Sequence, residues 1–210
     1  MYDILQDRKE AAMLLSEKLE KYQGKDAIVL AVPRGGVPIG YEIAKNLHLP
    51  LDVILSKKIG HPSNKEFAIG AVSLDSSFVD EHPDIPEKYI EGEIKHLRES
   101  LQEQYIRYMG DRPPTDVKDK IVILVDDGIA TGNTLLACIN MLREKNPQKI
   151  VVAVPVVPLD TVPVIQKNAD EFVYYIASKN FNGVGDFYED FEQVHDEEVI
   201  RLLNAVNLID

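Results

Sequence analysis

Apolar residues along this chain alternate between two patterns. Compact apolar runs, rich in β-branched residues, occur at residues 27–32, 51–56, 67–74, 121–125, 150–157 and 171–176. Such runs suit strands buried on both faces of a sheet. Between them, apolar positions recur at steps of three or four, the helical period, over residues 7–22, 39–47, 135–145 and 160–168. In the first of these Ala11, Leu14, Leu15 and Leu19 share a face, Asp7 and Glu10 have the spacing of a capping box, and Gly24 ends the helix. Pro155 predicts that the strand holding it stops near that point. Strand and helix in regular alternation predict a parallel central sheet flanked by helices, an α/β fold.

Three stretches interrupt the alternation. Residues 59–66, IGHPSNKE, are polar and carry clustered turn residues, so they read as a loop within a hairpin-like excursion. Residues 75–115 are broken first by Pro83 and Pro86, after which Ile90, Ile94, Leu97, Leu101, Tyr105 and Tyr108 form one stripe of an amphipathic helix. That stripe fits core burial or a homodimer contact. Residues 178–196 gather Phe181, Phe187, Tyr188 and Phe191 around Gly183 and Gly185, and Asp196-Glu197-Glu198 is expected to open a last, solvated helix.

The 210 residues suffice for one sizeable α/β domain. A net charge of −12 argues against general attraction to nucleic acid or an anionic membrane surface, while leaving room for a small anion held by local groups. The lone cysteine, Cys138, excludes an intrachain disulfide and reads as a small core residue. Neither a signal peptide nor a membrane-length apolar run is seen, so a soluble cytoplasmic protein is expected.

The candidate chemistry lies at two strand–glycine loop–helix junctions. The stretch 121–134, IVILVDDGIATGNT, runs from a buried strand into Asp126 and Asp127, then into a loop of small residues and a helix. Free N–H groups at a helix start and the helix dipole attract an anion. Gly128 and Gly132 let the backbone approach a phosphate, and Thr131 and Thr134 offer hydroxyl donors to it. Carboxylates beside a phosphate cradle make sense if the ligand is a sugar phosphate, whose hydroxyls Asp126 and Asp127 would accept directly or through a cation. The second junction, 33–38 (PRGGVP), joins the planar cation of Arg34 to the N–H groups of Gly35 and Gly36. The spacing of Gly35, Gly36 and Gly40 is not the dinucleotide fingerprint, and neither loop has a Walker ending. Lys57 and Lys58 add cations where another strand ends.

The 121–134 stretch closely resembles the signature of the type I phosphoribosyltransferases, which bind 5-phosphoribosyl-1-pyrophosphate (PRPP). The chain as a whole looks most like members with a VPRGGVP-type first loop. The resemblance implies a single domain over residues 1–210, with a core at about 25–176 and a small hood from 1–24 and 177–210. It implies transfer of a phosphoribosyl group from PRPP to a nitrogen acceptor, with pyrophosphate released and Mg²⁺ required. Gly128, Ala130, Thr131, Gly132, Asn133 and Thr134 would hold the 5′-phosphate and Asp126 and Asp127 the ribose, with the ion held mainly through PRPP. Arg34, Gly35 and Gly36 would meet the pyrophosphate. Residues 59–66 match the mobile catalytic loop, with Lys57 and Lys58 facing pyrophosphate charge and Glu66 a candidate for handling the acceptor proton; for Glu66, His61 and Lys65 a surface role is equally open. Phe181 and Val184 loosely match the hood over the base. Ala130 stands where hypoxanthine–guanine members carry an aspartate, which weakens a 6-oxopurine acceptor. A PRPP-binding regulator without transferase activity is the alternative.

Overall fold

The computed structural model describes residues 4–80, 82 and 84–206; Pro83, expected to break the chain, lies outside them. The chain alternates as the apolar pattern predicts: α1 (Arg8–Leu19), β1 (Ala27–Ala31), α2 (Gly36–Leu47) and β2 (Leu51–Val53), then β6 (Ile121–Val125), α4 (Asn133–Glu144), β7 (Lys149–Pro158), α5 (Val162–Asn168) and β8 (Glu171–Ser178). Inserted between β2 and β6 are β3 (Lys57–His61), β4 (Asn64–Val72), β5 (Ser77–Val79) and α3 (Glu87–Met109), and α6 (Asp196–Val206) closes the described chain.

The central sheet is wholly parallel, in the order β2-β1-β6-β7-β8. Successive residues point to opposite faces of a strand, and here both faces are dry. Val29, Ala31, Ile123, Val125, Val151 and Ala153 pack with α1, α2, α3 and α6, whereas Ile28, Leu30, Val122, Leu124, Ile150 and Val152 pack with α4 and α5. The strand order reverses between β1 and β6. Loops leaving two such strands diverge to opposite faces and open a crevice at the carboxyl edge of the sheet. Both glycine loops of the sequence leave from that edge.

Several details depart from the sequence reading. The polar stretch 59–66 is no open loop: it forms the tight β3–β4 hairpin of a separate antiparallel sheet, ordered β3-β4-β5. The register slips at Gly60, where a Cβ would lie 2.6 Å from the Lys65 carbonyl oxygen, so a glycine is needed for the irregularity. Polar residues are tolerated because Asn64 to Phe67 are exposed. Helix α2 starts three residues earlier than expected, since Pro38 falls within its first turn, where a missing N–H costs nothing. Strand β7 runs through Pro155 to Pro158. Pairing with β6 ends at Ala153 and the register with β8 skips Pro155, so its missing donor falls where the ladder has no use for one.

The α3 stripe serves the core. Leu101, Tyr105 and Tyr108 are buried, and Ile90, Ile94 and Leu97 pack against the same cluster. Nor is α6 a solvated helix: Val199, Leu202, Leu203 and Val206, at helical spacing, pack onto α2, α3 and β2. Asp7 caps α1 as expected, its Oδ1 accepting from Glu10 N–H at 2.8 Å, although the Glu10 carboxylate turns back to Gln6 N–H rather than to Asp7. Helix α1 lies along α2, β7 and β8, so it is a layer of the core, and only its first turn reaches the carboxyl edge. Among the described residues no helix is long and apolar enough to cross a membrane.

Candidate active site

The two glycine loops are drawn together by the ends of their strands. Val32 N–H donates to the Val125 carbonyl at 2.8 Å, continuing the β1–β6 ladder one step past the sheet. The Pro33–Arg34 peptide is cis. Gly36 lies so close to β6 that a Cβ would meet Val125 O at 2.7 Å and Asp126 Cα at 2.9 Å. The sequence reading left both glycine N–H groups of this loop free; the Gly36 N–H is instead used by Val32 O at 3.0 Å, and Val37 N–H by Arg34 O at 3.1 Å.

The loop after β6 forms the other wall. Gly132 caps α4 in the left-handed region (φ +81°) and offers no capping side chain, so the first-turn N–H groups of α4 have no side-chain acceptor. Thr131, Asn133 and Thr134 are exposed beside them. Thr131, Gly132 and Thr134, with Asp126, Gly128, Ile129, Ala130, Leu135 and Val184, line one open pocket of about 190 Å³, while Asn133 faces the neighbouring cleft. An unfilled set of helix-start donors, flanked by hydroxyls, is a ready anion site. Burial, and then the charge of neighbouring Asp127, push the Asp126 carboxyl well above the usual carboxylate range.

Asp127 is turned elsewhere. Its Oδ2 accepts from Arg8 Nη2 at 2.8 Å and Nε at 3.1 Å, and its backbone carbonyl accepts from the Tyr188 hydroxyl at 2.8 Å. Arg8 comes from the first turn of α1. Its Nη1 donates to the Glu192 carbonyl at 2.8 Å, and its guanidinium lies 4.0 Å from the centroid of the Phe191 ring. Tyr188 and Glu192 belong to the stretch after β8, which Leu5 joins through backbone bonds to Phe187 and Glu189. The chain's first described residues and its 180–194 segment thus meet the core at Asp127 and Gly128.

A sequence profile described as "Phosphoribosyl transferase domain" matches residues 1–192 of the chain. The chain belongs to the phosphoribosyl transferase family. A Mycobacterium tuberculosis H37Rv protein, provisionally named a phosphoribosyl transferase, is 36% identical over 210 residues, covering 97% of this chain and 47% of that protein. The chain therefore spans about half the length of the curated relatives it matches. Among solved structures, TT1426 of Thermus thermophilus matches with a TM-score of 0.85 at 36% identity, over 97% of this chain and 98% of that one. The AQ2163 protein of Aquifex aeolicus shares the fold at a TM-score of 0.51 and 13% identity, over 85% of this chain and 76% of that one.

The phosphoribosyl transferase fold brings together some of the expected site residues and holds others apart. Asp126, Gly128, Ala130, Thr131, Gly132, Thr134 and Val184 share one pocket. Asn133 and Thr134 also border a larger cleft of about 630 Å³, whose far side is the hairpin with Lys57, Lys58 and Glu66. The hairpin leans on α3: Lys57 Nζ donates to Ser100 Oγ at 2.6 Å, the Tyr89 hydroxyl to Gly60 O at 2.7 Å, and Lys65 Nζ pairs with Glu93 at 2.9 Å. Lys58 and Glu66 pair with each other at 2.7 Å on the exposed outer part of the hairpin. The Lys58 hydrogen bond and charge hold the Glu66 carboxyl below its ordinary value. Arg34 reaches Asp196 at 3.6 Å, and Asp196 also accepts from the Tyr108 hydroxyl at 2.8 Å. Phe181 does not line the Gly128 pocket but stacks on buried Phe187, with centroids 5.2 Å apart.

Arg8 escaped the sequence reading, which named Tyr188 only among the aromatics of 178–196 and Asp196 only as a helix start. A single arginine after a helix cap has no signature, and its contact with Asp127 spans 119 positions of chain. The one available signal was the placement of a cation beside a capping aspartate, and it points to helix ends rather than to a distant carboxylate.

Proposed function

We propose that this chain transfers the phosphoribosyl group of PRPP to a nitrogen of a small, nucleobase-like acceptor and releases pyrophosphate. The observation that carries the reading is the pocket at the sheet's switch point lined by the uncapped start of α4, Thr131, Thr134 and Asp126. A phosphate on helix-start N–H groups with a sugar hydroxyl on a carboxylate suits a sugar phosphate, the class to which a 5-phosphoribosyl donor belongs.

In this reading Ala130, Thr131, Gly132, Asn133 and Thr134 bind the 5′-phosphate, and Asp126 and Asp127 accept the ribose hydroxyls. Arg34 and the Gly35 N–H receive the pyrophosphate, with Lys57 and Lys58 brought in by the hairpin. As the bond to pyrophosphate stretches, positive charge gathers on the ribose ring and negative charge on the leaving group; the Asp127 carboxylate and the cations of Arg34, Lys57 and Lys58 favour that separation. Val184, and Phe181 behind it, would border the acceptor, and Glu66 would handle its proton. Mg²⁺ bound with PRPP supplies charge neutralisation of the leaving group. The donor set would suit it: Asp126 and Asp127 offer hard oxygen donors, and Mg²⁺ would need few protein ligands beyond water and phosphate oxygens. A cytoplasmic setting completes the reading.

A second reading, a PRPP-binding regulator without transfer, draws on the hairpin: its cations are engaged by Ser100 and Glu66 and stand across a cleft from α4. One experiment separates the two. Pyrophosphate release from PRPP and Mg²⁺ is measured across a panel of nucleobases and small amides, with Asp127→Asn as control. Release with one acceptor, lost in the control, supports the transferase; PRPP binding without release from any acceptor supports the regulator; no binding sinks both.

A further inference from the structure

The geometry points to Arg8 as a positioning residue that fixes the Asp127 carboxylate for the ribose of PRPP, an inference that rests on the reading above. Both Arg8 donors on this side, Nε and Nη2, end on one oxygen, Oδ2. The first loop closes on that same oxygen: a Cβ at Gly35 would sit 1.9 Å from Oδ2, against 2.9 Å from Oδ1. Arg8 and Gly35 therefore bracket Oδ2 and set the rotation of the carboxylate, leaving Oδ1 as the oxygen free of Arg8.

The arrangement uses what distinguishes arginine from lysine. The guanidinium spends one edge on Asp127, spends Nη1 on the Glu192 carbonyl, and lays its flat face on Phe191. An ammonium has no second edge and no flat face. Two of these three tethers are independent of Asp127, and the side chain is only 12% exposed. Arg8 is thus held in place by the segment after β8 whether or not a ligand is present, and it is Asp127 that is oriented by Arg8 rather than the reverse. A side chain poised to swing away from the carboxylate would be more exposed and less tethered.

The test is calorimetric titration of PRPP with Mg²⁺ into wild type, Arg8→Ala, Arg8→Met and Arg8→Lys, with and without millimolar guanidinium, and with thermal unfolding of each. Positioning predicts PRPP binding weaker by about 10- to 100-fold in the alanine and methionine variants, the range typical of partners that orient a ligand-binding side chain. Added guanidinium should recover most of the loss in Arg8→Ala, whose slot is empty, and none in Arg8→Met, whose slot is filled. Arg8→Lys should fall between wild type and Arg8→Ala. Binding unchanged or tighter in Arg8→Ala and Arg8→Met overturns the inference, since Arg8 would then be idle or a competitor for Asp127. Weak binding in Arg8→Ala that guanidinium does not repair, with a matching loss of thermal stability, also overturns it, in favour of a purely structural role. Wild type that does not bind PRPP overturns the proposed function itself, and the inference with it.

Discussion

Gly35 and Asp127 leave no room for a side chain between them: a Cβ on Gly35 would lie 1.9 Å from Oδ2 and 2.4 Å from Cγ of the carboxylate. The glycine is not demanded by its backbone, which is helical at φ −61° and ψ −32° and open to any residue. It is demanded by the acid on the neighbouring strand. The sequence placed these residues in separate loops, about 90 positions apart; the parallel β1–β6 pairing puts them in contact.

Gly35→Ala should therefore leave the fold intact while driving the Asp127 carboxylate out of its contact with Arg8. The backbone angles suit alanine, but the clash and the loss of a largely buried ion pair should lower stability by about 1–3 kcal/mol, with PRPP binding weakened by about tenfold or more, roughly 1.4 kcal/mol. Calorimetry and a melting curve on the same sample decide it. Binding equal to wild type would show that Asp127 has a second productive position.

A similar contact joins the segment after β8 to the loop after β6. A Cβ at Gly128 would meet Val184 Cγ1 at 2.5 Å and Cγ2 at 2.8 Å. Gly128→Ala should cost about 1–3 kcal/mol, as overpacking does. Val184→Ala in the same background should return at least half of it, because the clash is with those two methyl groups. The check is a double-mutant cycle in urea. Additive losses would mean that the loop, rather than the segment after β8, absorbs the strain.

The parts of this architecture written in local pattern were legible. Buried β-branched runs gave the central strands, and the Asp126–Thr134 stretch announced its junction because strand, acids, glycines and threonines are contiguous. The hairpin excursion was expected, but not that strand pairing runs through residues 57–61 and 64–66, because the water-exposed tip of the hairpin lacks the apolar alternation that marks a strand. Helix α6 was misjudged because its first turn, Asp196 to Glu198, is acidic, while the burying residues, Val199, Leu202, Leu203 and Val206, begin just after it. The roles of Arg8 and Tyr188 were invisible for a different reason: they exist only as contacts with Asp127 across the folded chain.

The hairpin's rest position against α3 depends on Tyr89. Its hydroxyl donates to the Gly60 carbonyl at 2.7 Å and accepts from Lys65 Nζ at 2.6 Å. Tyr89→Phe keeps the ring and removes both bonds. A hydrogen bond contributes on the order of 1 kcal/mol, so the two together should speed amide exchange across residues 58–66 by about thirty-fold, with global stability nearly unchanged. Exchange confined to the wild-type rate would show that the Lys57–Ser100 and Lys65–Glu93 pairs hold the hairpin unaided.

At the opposite edge of the sheet, Glu171 joins β8 to β7 and to the end of α1. Burial opposes its charge, but hydrogen bonds from Lys149, Lys21 and Tyr22 outweigh that and lower its pKa from 4.5 to about 2. Lys149 is correspondingly raised to about 12, chiefly by its hydrogen bonds to Glu171 and Tyr22. The two shifts describe one cluster and are counted once. With Glu171 22% exposed, water screens part of the gain, and about 1–2 kcal/mol is a fair allowance. A carboxylate whose folded pKa is depressed adds stability that is complete above the unfolded value and fades as pH falls toward the folded one. Wild type should therefore exceed Glu171→Gln by that amount at pH 7, and the margin should begin to shrink below about pH 4.5, with most of it gone near pH 2. Urea midpoints of the two proteins at pH 7, 5, 4 and 3 test this. A margin that stays constant down to pH 3 would mean that Glu171 stabilises through packing of its side chain and not through its charge.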